Sequence, residues 1–212
     1  MKKTLWTFGD SFTESLSDNK ADWVQKYIEW KGYIPKVYGE VIAERMEIKL
    51  VNMGKGGSDN YSIFQSICDS VHNIKSDDII LIGWSYCTRF RLVDKWDEWK
   101  SIIPKFDRNI TNLEDVSNNT LEEVLINRTK SKYVSEVHSW IKLLNITFAN
   151  NLIIHWSPLD REVSKNYIGE LTNITKETNE EIIDGHYGEI GHMQLANEFI
   201  KMIKSNTNMK LI

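Results

Sequence analysis

Residues 4–15, TLWTFGDSFTES, carry a short apolar stretch into Gly9-Asp10-Ser11 and then turn polar. A serine at that point is either a turn residue or a nucleophile held at the lip of a sheet. As a nucleophile it needs help, because a hydroxyl attacks poorly near neutral pH until a base takes its proton. Histidine titrates near neutrality and is the natural base. A histidine with a carboxylate close by in sequence stands late in the chain, in DGHYGEIGHMQLA, which places Asp184 and His186 just before the last helical pattern. A carboxylate in such a trio fixes the imidazole tautomer and stabilises the imidazolium that forms. The bland alternative makes Asp184 and His186 a solvated turn and leaves Asp10 and Ser11 shaping another.

Elements that could bring these residues together are legible as alternating strands and helices, which favours an α/β domain on a parallel sheet. Leu5 to Phe8 reads as the first strand. Trp23-Val24-Tyr27-Ile28 and Val37-Val41-Ile42-Met46 have helical spacing. Ile48 to Asn52 predicts a second strand and Ile63-Ile67-Val71-Ile74 one face of a helix. Asp78 to Gly83 contains the continuous apolar run expected of a parallel strand covered on both faces. Val134, Val137, Ile141, Leu144 and Phe148 mark a long helix, Asn151 to Trp156 a fourth strand, and Ile190-Met193-Ala196-Ile200-Ile203 a C-terminal helix.

In an open α/β sheet, ligands bind outside the carboxyl ends of the strands. Three such ends are rich in glycine and small polar groups: Gly9-Asp10-Ser11, Asn52 to Asp59 and Gly83-Trp84-Ser85-Tyr86. The glycines at 54, 56 and 57 do not spell a dinucleotide fingerprint or a P-loop. Between about 91 and 132 the pattern breaks down into a polar stretch carrying Trp96, Trp99 and Phe106. It is expected either to pack those aromatics on the domain as a helical elaboration or to cap the substrate site.

Composition narrows the classes. At 212 residues, 41% hydrophobic and 26% charged, a single globular domain spanning 1–212 is expected. A net charge of -4 argues against a nucleic-acid surface. No apolar run approaches the roughly 18 residues of a membrane span, and the apolar stretch after Lys2-Lys3 is too short for a signal-peptide core. These features give a cytoplasmic expectation. Cys68 and Cys87 form no disulfide framework. Neither they nor the scattered histidines have metal-ligand spacing, so no metal is expected. His72, His138 and His155 are expected to be structural, and His192 to pack or hydrogen-bond on the last helix. Arg89 and Arg91 are read as surface charges, with contact to an anionic substrate as the alternative. Trp23, Trp30, Trp84, Trp140 and Trp156 are assigned to core or rim.

Together these blocks resemble the SGNH (GDSL) hydrolases, and the variant is similar to SGNH-like proteins of tailed phages, for which a virion-associated location is the alternative to the cytoplasm. The resemblance implies a three-layer, doubly wound parallel sheet of flavodoxin-like type. It makes Ser11 the nucleophile, His186 the base and Asp184 its orienting acid. It maps Asn-x-Gly-x-x-Gly onto Asn52, Gly54 and Gly57, with the Gly57 N–H an oxyanion donor beside the Ser11 N–H. The late block continues at Gly191-His192. Two positions depart from the family. Ser85 stands where an asparagine is expected, offering a shorter, freer hydroxyl as the remaining oxyanion donor. Asp184-Gly185-His186 is one residue shorter than the usual spacing, which Gly185 can accommodate. The implied activity is hydrolysis of a carboxylic ester, such as an O-acetyl group on a carbohydrate, through an acyl-Ser11 intermediate without a cofactor. An acyltransferase using the same residues, or a non-catalytic binding domain, are the rival readings.

Overall fold

The computed structural model describes residues 3–85, 89–93, 99–102, 130–157 and 186–209. Four strands, β1 (Thr4–Gly9), β2 (Lys49–Gly54), β3 (Ile79–Gly83) and β6 (Leu152–Trp156), form an all-parallel sheet in the order β2-β1-β3-β6. Five helices are described: α1 (Asp22–Lys31), α2 (Tyr38–Met46), α3 (Asn60–Ser70), α4 (Lys130–Thr147) and α5 (Glu189–Met209). This is a three-layer α/β architecture.

The two-residue period of the strands builds it. Leu5, Ile79, Leu81, Ile154 and Trp156 face one side and pack with Tyr38, Ile42, Leu195 and Phe199 of α2 and α5. Trp6, Phe8, Ile80 and Ile82 face the other and meet Ile63, Ile67, Val137, Ile141 and Leu144 of α3 and α4. Both faces of β1 and β3 are thereby sealed from water, which explains why β3 is an uninterrupted apolar run. The helix ends follow local chemistry. Gly32 closes α1 in the left-handed conformation (φ 75°), its N–H bonding Ile28 O. Asp59 caps α3 by accepting the Ser62 N–H at 2.7 Å. Glu40 reaches back to the Val37 N–H at the start of α2.

Residues 90–102 correct one expectation. Where a helical elaboration is predicted, β4 (Phe90–Val93) and β5 (Trp99–Ile102) pair antiparallel, Phe90 opposite Ile102. Neither four-residue segment alternates apolar and polar residues strictly, so no strand period marks it in the sequence. Trp96 and Phe106, and the question of a cap, lie outside the described residues. Among the described residues, no helix is long and apolar enough to cross a membrane.

Candidate active site

The sheet delivers Gly9, Gly54 and Gly83 to its carboxyl edge, where Gly9 pairs with Gly54 in register. Beyond Gly9 the chain makes one helical turn: the N–H groups of Thr13 and Glu14 both bond Asp10 O, at 2.9 and 3.0 Å. Ser11 stands on the first turn of that segment. The turn lies directly on β2, since a Cβ at Gly54 would meet Glu14 N and Thr13 C at 2.6 Å. Only glycine fits there. Asn52 fastens the same contact, donating from Nδ2 to Thr13 O at 2.8 Å and accepting the Gly54 N–H at 2.9 Å.

His186 precedes α5 and turns its ring toward Ser11. Its Nε2 lies 2.7 Å from Ser11 Oγ. For Nε2 to accept that hydroxyl proton, the neutral imidazole must carry its own proton on Nδ1. Phe12 stacks on the imidazole with ring centroids 4.8 Å apart, and its other contact is edge-on to Tyr187 at 5.1 Å. Phe12, the immediate neighbour of Ser11, therefore holds the plane of the His186 ring. Asp184 lies outside the described residues.

His192, one helical stretch further on, has the opposite environment. Its Nδ1 accepts the Tyr38 backbone N–H at 3.3 Å. Burial, reinforced by nearby His186, depresses its pKa to about 3. It is a neutral packing residue at neutral pH. His155 is similar: Trp84 Nε1 donates to its Nδ1 at 3.2 Å, Nε2 meets Asn145 Oδ1 at 3.1 Å, and burial lowers its pKa to about 3.

Gly57 occupies the β2–α3 loop in the left-handed region, φ 76°. Ser58 N bonds Lys55 O at 3.2 Å. A positive φ at the third of four residues is the type II turn pattern, and nothing lies within 4 Å of where a Gly57 Cβ would be. The face is open. An open groove of about 1000 Å³ runs from Gly9 and Gly57 along α3, lined by groups that include Ser58, Ser62, Gln65 and Asp69.

Ser85 departs from its expected role. Its side chain is fully buried, and its hydroxyl donates to Asp10 Oδ2 at 2.7 Å. A hydroxyl has one proton, and here that proton points inward, away from any bound ester; Ser85 as an oxyanion donor is thus corrected. Its backbone is gripped by Asn60, which accepts the Ser85 N–H at 2.7 Å and donates to Ser85 O at 3.1 Å. Arg89 is not a surface charge either. Its side chain is only 10% exposed and lies 3.6 Å from Asp10 Oδ2. Trp84 and Trp156 are core, whereas Trp30 is 66% exposed.

Reading the residues missed Phe12, Asn60 and the inward role of Asp10. Phe12 had a signal, its adjacency to Ser11. The other two are recognised only through partners far away in the chain.

No known family profile matches the chain, and no curated protein sequence does. Among solved structures, the acetyl xylan esterase Est2A from the rumen bacterium Butyrivibrio proteoclasticus is similar over 97% of this chain, with a TM-score of 0.50 and 12% identity. The chain spans 64% of that enzyme's length. A lipolytic protein of the G-D-S-L family from Desulfitobacterium hafniense aligns over 95% of this chain and 99% of its own, at 14% identity and a TM-score of 0.38. Axe2, an acetyl-xylooligosaccharide esterase from Geobacillus stearmophilus, aligns over 94% and 93%, at 14% identity and a TM-score of 0.40. The chain shares the three-layer α/β fold of Est2A. In this chain the Gly9-Asp10-Ser11 turn and the loop that begins at Gly54 share one sheet edge, and His186 and Ser11 are in hydrogen-bond contact.

Proposed function

We propose that this protein is a serine esterase of the SGNH type. The observation that carries the reading is the 2.7 Å approach of His186 Nε2 to Ser11 Oγ, within reach for direct proton transfer. In the proposed reaction, Ser11 Oγ bonds to the ester carbonyl carbon as its proton moves to His186 Nε2. The carbonyl electron pair goes to oxygen, where the Ser11 and Gly57 N–H groups receive the charge. Collapse breaks the carbon–oxygen bond to the alcohol, which leaves with the proton from His186. Water then repeats the sequence on the acyl-serine. Asp184 is assigned to the Nδ1–H side of the imidazole.

An O-acetyl group on a carbohydrate is the proposed substrate. The groove beside Gly57 presents Ser58, Ser62, Gln65 and Asp69 among its lining residues, side chains able to hydrogen-bond a polyol. Near His186, Tyr27 and Tyr33 bond Glu189, three residues on, and beside them Trp30 offers an exposed ring. An exposed ring of this kind offers a flat apolar face on which a sugar ring can stack.

A fluorophosphonate tests the reading. One covalent adduct is expected, on Ser11, because the base activates the hydroxyl and the donors receive the phosphonyl oxygen. A folded protein that forms no adduct and turns over no p-nitrophenyl acetate would overturn it.

A further inference from the structure

Asp10 is a carboxylate with only 3% of its surface exposed. Burying such a charge costs several kcal/mol unless partners replace its water. The partners come from two loops at the carboxyl edge. Oδ1 accepts the Phe12 N–H at 3.1 Å, within the nucleophile's own turn. Oδ2 accepts the Ser85 hydroxyl at 2.7 Å, from the end of β3. Arg89 Nη1 stands 3.6 Å from the same oxygen, a charge contact just beyond hydrogen-bond length. That nitrogen also donates to Ser58 O at 2.9 Å, the residue after Gly57. One guanidinium nitrogen thus joins the nucleophile turn to the glycine turn.

We propose that Arg89 is a positioning residue: through Asp10 and the Ser58 carbonyl it fixes the distance between the Ser11 turn and the Gly57 N–H. The proposal deepens the esterase reading of this same site and rests on it for its catalytic consequence. Three observations favour it over a substrate contact. The Arg89 side chain is only 10% exposed, its charge faces Asp10, and its N–H group is directed at a backbone carbonyl. Such a link matters because an oxyanion donor works only at about 2.7–3.1 Å from the developing charge. Misplacement by about 1 Å costs on the order of 10²-fold. Arginine suits the task because its planar fork is always charged and presents several fixed donors, whereas a lysine ammonium offers a compact point charge.

The test uses the full chain as Arg89→Met and Arg89→Lys, with p-nitrophenyl acetate turnover, the rate of fluorophosphonate labelling and amide hydrogen exchange. In folded Arg89→Met, kcat and the labelling rate are expected to fall about 10²-fold, with KM within about threefold. Exchange should accelerate at residues 55–58 and 10–14. Lysine should recover about tenfold of the loss by restoring charge without the fork, and millimolar guanidinium should partly rescue the methionine variant. A rise in KM alone would overturn the proposal in favour of a substrate contact. Unchanged exchange in the two turns would overturn it outright. If Arg89→Met does not fold, Arg89→Lys carries the decision, because wild-type exchange and kcat in that variant would also refute it. A wild-type protein that resists labelling while Arg89→Met still loosens both turns would sink the esterase reading and leave the positioning role standing.

Discussion

Ser11 and Ser85 occupy equivalent places, each just beyond the carboxyl end of a central parallel strand. Their surroundings divide them. Ser11 is half-buried and shares its hydroxyl with His186 at 2.7 Å; Ser85 is sealed from solvent and gives its proton to Asp10 at the same distance. A hydroxyl facing a base that can take its proton is a nucleophile in waiting. Facing a buried carboxylate, it is a strut. Residue type and strand-end location are shared, so the partner of the hydroxyl decides the chemistry.

The largest expected effect breaks that pair apart. Ser11→Ala should lower ester turnover by about 10⁴- to 10⁶-fold, as loss of a residue acting as part of a catalytic unit does, while leaving the unfolding free energy almost unchanged. Ser85→Ala should do the reverse. It leaves Asp10 short of one donor, which costs about 1–3 kcal/mol of stability, and it should reduce kcat by less than about tenfold. Steady-state kinetics and urea unfolding of both variants check the contrast. Similar kinetic losses from the two would erase the distinction.

The two late histidines sharpen it through pH. His192 and His155 take up a proton in the folded state only near pH 3, against about 6.5 in an unfolded chain. Between those values the unfolded chain binds more protons, so stability rises with pH. The contribution is complete above about pH 6.5 and is lost as pH falls toward 3, at up to about 1.4 kcal/mol per unit for each histidine. Urea unfolding between pH 5 and 7 should therefore show a falling midpoint on acidification, with a shallower slope in His192→Gln. A flat profile would mean that neither ring is buried neutral.

The smallest effect concerns the rim. Trp30→Ala should raise KM for an O-acetylated oligosaccharide by about fivefold, the worth of roughly 1 kcal/mol of aromatic contact, and leave p-nitrophenyl acetate kinetics alone. Equal kinetics on both esters would remove Trp30 from the substrate site.

The sequence patterns legible in advance were those made by neighbours in the chain. The apolar run of β3 and the helical spacing of Val137, Ile141 and Leu144 reflect burial against whole layers, and each resolved into its element. Ser11 was visible because glycine, carboxylate and hydroxyl cluster after a strand. Ser85 was misread because its partner Asp10 lies 75 residues away; no local pattern encodes which oxygen a hydroxyl will face. Arg89 read as surface for the same reason, since the Ser58 carbonyl that it grips is a backbone atom and leaves no mark on composition. β4 and β5 were hidden because neither four-residue segment alternates strictly enough to show a strand period.

Ser11 and His186 touch across 175 residues, and that separation sets a schedule on the ribosome. At about 5–20 residues per second, His186 emerges roughly nine to thirty-five seconds after Ser11. For about the first two-fifths of that interval β1 waits for β3, its neighbour at the centre of the sheet, and throughout it α5 has yet to close its face of the core. A nascent chain on this plan carries its serine unarmed, and reactivity arrives with one of the last contacts to form.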